Sequence, residues 1–484
     1  MIYVSTALVS GVDFPETKRT SKNEQAFRDE YKQFLHDFLF PLLGNDSVNL
    51  EEVYSTKTEK NLVIEQEGDT IYFYAGKKCY FKTKATLHLE SATDNMSIAR
   101  NIVRAFFTRC SYEYENNYKQ QNRYATTVAK AKAWNMSIQD GIVRWIFGGT
   151  SNDTTARFFD ILEKWAVKTY EGKHVTLGFV VNPFSQKAPL LSFDELQLFL
   201  EDDSSAVLSD CIHSIMEVDK KCNLINYLSV TKSVTEIPAC ELNNNVPLRF
   251  LHTVQQFVPQ KSSTGGSDKI GIFLLTNGDI LTVKNGATKF VKRNLRWLSM
   301  NHTSFIASLG FGDKEIYQDL DNLLANIYAS VLDVSFSHSG GLIAIVSPTI
   351  IPELIDEKVL NPYNDFCLEE KEALEKSCSL GFSEPKKEQK IRRKLLTEML
   401  KETTFVDVDR KLRSELIALD GACIVGTDGK IYTCGAIIQN DSGSSTGGRS
   451  SAAKKLSRYG VAIKISTDGY IEVYREDELV YSIK

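Results

Sequence analysis

Nowhere in its 484 residues does the sequence hold an apolar run of the ~18 residues that a membrane-spanning helix needs, so no membrane partner is expected. The opening Met1-Ile2-Tyr3-Val4-Ser5-Thr6-Ala7-Leu8-Val9 lacks a basic leader and is too short for a signal peptide, and it reads as a strand. An excess of positive charge is missing too. The formal net charge of −5 disfavours non-specific nucleic-acid binding while permitting a local basic pocket. The nine cysteines form no Cys-x-x-Cys pair, and Cys423 and Cys434 fall within apolar strand patterns, as buried thiols of a reducing, cytoplasmic compartment would. His213 lies two residues from Cys211, but no further Cys/His pair completes a zinc site. What is present is ordinary for a globular chain, 42% apolar and 25% charged residues, and the length calls for two or three domains.

Three regions separate. In 1–123, an α+β region, Phe27, Tyr31, Phe34, Leu35, Phe38 and Leu39 recur at helical spacing over Asn23 to Phe40, with Pro41 as the expected stop. Strands are expected at Thr70 to Tyr74 and Cys79 to Thr83, and the polar stretch Glu113 to Arg123 reads as a connector. Region 124–315 is mixed α/β. It holds a helix at Thr154 to Thr169, a strand at His174 to Val181, and a meander turning at Asn277-Gly278 and Asn285-Gly286. Trp297 either packs beneath that meander or stacks on a base. Lys261-Ser262-Ser263-Thr264-Gly265-Gly266 reads as a flexible connection. Region 316–484 carries an insertion at Asn361 to Thr404, where a helix starting near Ser383 and Pro385 sets Ile391, Leu395, Leu396, Met399 and Leu400 against a basic face. A second helix, Asp409 to Ala418, delivers the chain to Asp420.

The segment from Leu419 to Tyr474 carries the chemistry. Asp420-Gly421-Ala422 opens the apolar run Cys423-Ile424-Val425, Asp428-Gly429 turns the chain, and Ile431 to Ile438 enters the loop Asp441-Ser442-Gly443-Ser444-Ser445-Thr446-Gly447-Gly448-Arg449. Beyond it, Ser450-Ser451-Ala452-Ala453 begins a helical pattern, with the serines at the expected N-cap and Gly460 at the expected stop. Val461 to Ser466, Asp468-Gly469 and Tyr470 to Tyr474 complete a hairpin. Backbone N–H groups beside Gly447 and Gly448, the positive end of a helix dipole and the Arg449 fork favour an anion there. A carboxylate such as Asp420 beside phosphates suits a magnesium ion. Each piece also has a bland reading, a flexible Gly/Ser turn or a turn aspartate. The ordered set is more specific than its parts.

That order resembles the nucleotide-binding domain of diadenylate cyclases, the DisA-type fold, and within that superfamily it is most similar to the sensor-like branch called DACNV. Asp420-Gly421-Ala422 matches the family's DGA, and Gly447-Gly448-Arg449-Ser450-Ser451-Ala452-Ala453 stands where active cyclases carry Gly-Thr-Arg-His-Arg-Ala-Ala. His338-Ser339-Gly340-Gly341 before the strand Leu342 to Val346, and Thr169-Tyr170-Glu171-Gly172-Lys173, extend the likeness. It runs from Leu320 to the C-terminus and more thinly over Ala156 to Gly310. The resemblance implies an α/β C-terminal domain with a mixed β-sheet flanked by helices, preceded by α+β regions.

Ser450 and Ser451 replace the His and second Arg that active cyclases set on the phosphates, and only Thr467-Asp468 stands where an acidic pair follows the late strand. Losing charge-assisted donors weakens transition-state stabilisation more than ground-state binding. The reading is therefore a non-catalytic nucleotide sensor in a bacterial conflict system, such as defence against phage. Its expected ligand is an adenine nucleotide or cyclic nucleotide. Asp420, Gly421, Ala422, Thr446, Gly447, Gly448, Arg449, Ser450 and Ser451 form the site, with magnesium on Asp420 or an adenosine hydroxyl there instead. A homodimer and an effector protein are expected partners, and nucleic acid is not. An active diadenylate or related cyclase with a divergent motif and a structural pseudoenzyme scaffold are the alternatives.

Overall fold

The computed structural model describes residues 21–42, 49–56, 62–67, 70–76, 78–84, 98–107, 127–146, 153–170, 173–174, 176–201, 214–229, 245–259, 269–294, 296–300, 302–311, 320–361, 375, 377–381, 387–400, 403–438 and 447–483. These are mixed α/β and fall into two compact units, one within Met1–Glu241 and His252–Asn301, the other within Leu242–Leu251 and His302–Lys484. The expected region boundaries at 123 and 315 lie outside the described residues, as do the expected strand at the N-terminus, the connector 113–123 and the Gly/Ser segment 261–266.

In the first unit the aromatic stripe of the opening helix is a core face. Tyr31, Phe34, Leu35 and Leu39 are fully buried, and the Phe34 ring stacks on Phe106 at 4.1 Å. The helix Ser21–Phe34 passes through a π turn at Leu35–Leu39 into Phe40–Leu42, so the helical run continues past Pro41 rather than stopping before it. A four-stranded antiparallel sheet holds the two expected strands as neighbours, Thr70–Gly76 and Lys78–Lys84. A seven-stranded sheet contains the meander, Ile270–Leu274, Ile280–Lys284 and Ala287–Arg293. Its second turn places Asn285 at φ 52° and Gly286 at φ 70°, the double left-handed geometry that closes a two-residue hairpin. Trp297 is buried edge-on against Phe159 and Phe290, which assigns it to packing and removes it as a base-stacking platform.

The second unit is a mixed six-stranded sheet with helices on both faces. In chain order its elements are α1 (Leu320–Ser337), β1 (Gly341–Val346), α2 (Arg410–Ala418), β2 (Ala422–Gly426), β3 (Ile431–Ala436), α3 (Gly448–Leu456), β4 (Gly460–Ile465), β5 (Ile471–Arg475) and β6 (Glu478–Ile483). The sheet order is β3-β2-β1-β4-β5-β6, with β1 and β2 parallel and the remaining neighbours antiparallel. Alternation along the strands divides the core. Leu342, Ala344, Val346, Ile424 and Ala462 pack with Ala452, Ala453 and Leu456 of α3 on one face. On the opposite face α1 and α2 pack against each other and against the central strands.

Helix α2 is fastened at its start. Asp409 caps it by accepting from Lys411 N–H at 2.9 Å and Leu412 N–H at 3.3 Å. Arg410 and Asp333 form a buried fork, Nε to Oδ2 at 2.7 Å and Nη2 to Oδ1 at 3.0 Å, while the Leu248 N–H donates to the same carboxylate at 2.7 Å. Burial together with the neighbouring Arg410 charge pulls Arg413 down to about 10, and its Nη1 donates to the Phe405 and Val406 carbonyls. These contacts set the angle at which α2 releases the chain toward Asp420.

In the insertion, the helix Lys387–Leu400 presents Ile391, Leu395 and Met399 to solvent, and only Leu400 of its described apolar residues is buried. Its expected start at Ser383 and Pro385 lies outside the described residues.

Candidate nucleotide site

The topology gathers the sequence motifs at one end of the sheet. Parallel pairing of Ile343 with Cys423, carried two residues back, sets Gly341 beside Gly421. Antiparallel pairing of Gly341 with Ile465 brings the turn Ser466 to Gly469 to the same end. Strand β3 leaves there, since Ala436 pairs with Ala422, and α3 starts the return journey to β4, whose Gly460 pairs with Val346 at the opposite end. Asp420, Gly340, Thr467 and the N-terminus of α3 therefore share one rim.

Three glycines of this rim are dictated by packing. A Cβ on Gly341 would stand 2.7 Å from the Ile417 carbonyl oxygen, so the end of α2 can lie against β1 only without a side chain there. Gly421, at φ 107°, would bring a Cβ within 2.4 Å of the Gly435 carbonyl carbon. Gly340, at φ 68°, would place one 2.5 Å from Arg449 Nη1 and 3.2 Å from Thr467 Cγ2. The last contact locates the Arg449 guanidinium: it leans across Gly340, beside Thr467.

Gly447 and Gly448 behave differently. Both are exposed, neither has positive φ, and among the described residues a Cβ at either meets nothing within 4 Å. No described neighbour requires glycine at these two positions. Among the described residues, no hydrogen bond or ion pair engages the half-buried Arg449 or the exposed Asp420. A charged donor fork thus stands at the dipole-positive end of α3, on the same rim as the Asp420 carboxylate.

The expected serine cap is corrected. Gly447 is the N-cap, without a side-chain cap bond, and Ser450 and Ser451 lie inside the first turn with their N–H groups bonded to the Gly447 carbonyl at 2.9 and 3.3 Å. Those two amides are spent on the helix, which leaves the Ser450 hydroxyl and the amides of Gly448 and Arg449 as donors for an anion. Gly460 does not stop the helix either. The turn ends at Ser457, whose hydroxyl donates back to the Lys454 carbonyl at 2.7 Å, and Gly460 opens β4 because a Cβ there would stand 2.2 Å from the Ile345 carbonyl oxygen.

Of the residues expected in the site, Asp420, Gly421, Gly447, Gly448, Arg449, Ser450 and Ser451 lie along this rim. Ala422 is fully buried in the core under α3, and Thr446 lies outside the described residues. Gly340 and Thr467 join the arrangement as the neighbours of Arg449. The glycine pair Gly340-Gly341 ahead of an apolar strand was the available signal, because paired glycines there mark a close backbone approach. No group of three or more His, Cys, Asp or Glu able to hold a metal occurs among the described residues. The donor set suits magnesium, which is held by one or two carboxylates completed by phosphate oxygens and water.

No family model matches the chain, and no curated protein matches it. Fifteen solved chains do match. One is a crystal structure of a double mutant of DacA from Staphylococcus aureus, 17% identical, covering 35% of this chain and 91% of that one, with a TM-score of 0.19. A likeness of that size carries no argument about the site. No described helix is long and apolar enough to cross a membrane.

Proposed function

We propose that the chain recognises an adenine nucleotide at the rim of the second unit, without cyclising it. One observation carries the reading: Arg449 leans over Gly340 with no partner among the described residues, at the start of a helix whose N-cap Gly447 and first residue Gly448 meet no described neighbour that a Cβ would strike. In this reading Arg449 and the amides of Gly448 and Arg449 take phosphate oxygens, and the Ser450 and Ser451 hydroxyls add neutral donors. Asp420 takes a magnesium ion bridging to those phosphates, or an adenosine hydroxyl. Gly421 and Ala422 shape the strand that carries Asp420. Serines offer the developing charge of phosphoryl transfer less than His and Arg would, which favours binding over turnover. The diadenylate-cyclase resemblance supports this reading, and its sensor-like branch extends it to a nucleotide signal in a bacterial conflict system with a homodimer and an effector as partners.

Two measurements test it. Mass spectrometry of copurifying nucleotides and calorimetry with ATP and cyclic di-AMP should show binding that Arg449→Ala weakens about ten- to hundredfold, the ~1.5–3 kcal/mol of one charge-assisted contact. Wild type that binds none of these at millimolar concentration sinks the reading. Incubation with ATP and magnesium or manganese, followed by chromatography, should yield no cyclic di-AMP. Product abolished by Asp420→Asn would establish an active cyclase instead.

A further inference from the structure

We propose that Cys423 and Cys434 are a redox pair, closed to a disulfide by a hydroperoxide and reopened by thiols. The inference does not depend on the nucleotide reading. The two sulfurs lie 3.6 Å apart on the neighbouring strands β2 and β3. Pairing of Ala422 with Ala436 and of Ile424 with Thr433 leaves Cys423 facing the Cys434-Gly435 step, a bulge in which Gly435 takes φ 73°. Cross-strand neighbours have Cα atoms ~4.5–5.5 Å apart, inside the ~4.4–6.8 Å that disulfides span. Side-chain rotation can therefore bring the sulfurs to bonding distance while the strands stay paired.

Burial assigns the order of events. Cys423 is 1% exposed, whereas Cys434 is half-buried on β3, one of the two edge strands of the sheet among the described residues. The oxidant meets Cys434 first. Its thiolate sulfur attacks the outer oxygen of the hydroperoxide, the O–O bond breaks, and the alkoxide or hydroxide leaves and is protonated, giving a sulfenic acid. The Cys423 sulfur then attacks that sulfur and gives up its proton, the S–O bond breaks, and water departs. Two electrons have passed from the thiol pair to the peroxide. The resulting cross-link ties β2 to β3 one residue from Gly435, whose carbonyl abuts Gly421.

The test needs only the full chain and hydrogen peroxide. After oxidation, remaining thiols are alkylated under denaturing conditions and the digest is mapped by mass spectrometry. The expected result is a linked Cys423–Cys434 peptide pair, lighter by two hydrogens and restored by dithiothreitol. Cys423→Ser should instead leave a sulfenic acid at Cys434 that dimedone traps, and Cys434→Ser should leave Cys423 reduced. Wild type that carries sulfinic acid at Cys434 without a cross-link, links either residue to another cysteine, or keeps both thiols reduced overturns the proposal.

Discussion

Glycines that look alike in the sequence serve opposite masters. Gly421→Ala would force a Cβ onto the Gly435 backbone at a strained φ, and it should cost at least ~2 kcal/mol in urea unfolding. Gly448→Ala enters open space on a helix, so stability should hold or rise by up to ~1 kcal/mol while ATP affinity falls. A Gly448→Ala variant with unchanged affinity would show that no ligand backbone approach occurs there. Both motifs were visible as sequence, but their reasons were not. Whether a glycine answers to the fold or to a ligand depends on what stands opposite its missing Cβ, and sequence does not say. Arg449 was visible as a candidate anion donor, whereas Gly340 and Thr467 beside it are more than a hundred residues away and level with it, respectively, only through β1 and β4 pairing.

Among the elements, α2 aims the site, and its observed start at Arg410 lies one residue from the expected one. The helix from Asp409 to Ala418 was legible; the buried fork from Arg410 to Asp333 was not, because the partner sits on α1. Arg410→Met alone should destabilise the protein by ~3–5 kcal/mol, since it strands the Asp333 carboxylate. Adding Asp333→Leu should recover most of that loss, as measured by a double-mutant cycle in urea. A double variant no more stable than the single one would mean that the fork contributes more than relief of burial. Helix α3 shows the reverse error. Serines after a glycine loop fit an N-cap by propensity, yet the helix begins at Gly448, because the buried Ala452 and Ala453 fix which residues face the sheet.

At the scale of the molecule, acid sensitivity has an identifiable contributor in the first unit. Burial alone would raise Glu217, but hydrogen bonds from Lys269, Asn182 and Asn226 outweigh it and hold the carboxyl below its ordinary 4.5. A depressed acid stabilises above the unfolded value and loses that contribution as pH falls through the folded one. The stability gap between wild type and Glu217→Gln should therefore be full near pH 6 and shrink below 4.5; a gap that widens on acidification would reverse the assignment. In the second unit, the proposed sensing role requires that binding be transmitted beyond the site. Nucleotide should alter hydrogen exchange along Lys387–Leu400, a helix with three exposed apolar residues, Ile391, Leu395 and Met399, as well as at the start of α3. Changes confined to 441–453 would favour plain binding over sensing.

The order of motifs, the hairpins and the amphipathic helices followed from the sequence alone, because they depend on local turn chemistry and on hydrophobic periods of two and 3.6 residues, while the α/β class of the second unit followed from the family resemblance of its motifs. Tertiary structure decided the rest. It brought Asp420, Gly340, Thr467 and Arg449 to one rim through parallel and antiparallel pairing, and it buried Ala422 and Trp297. It also set Cys423 against Cys434 across a bulge. Those outcomes rest on contacts between residues distant in the chain, where strand register and the space beyond a Cβ select the neighbour and no local pattern encodes it.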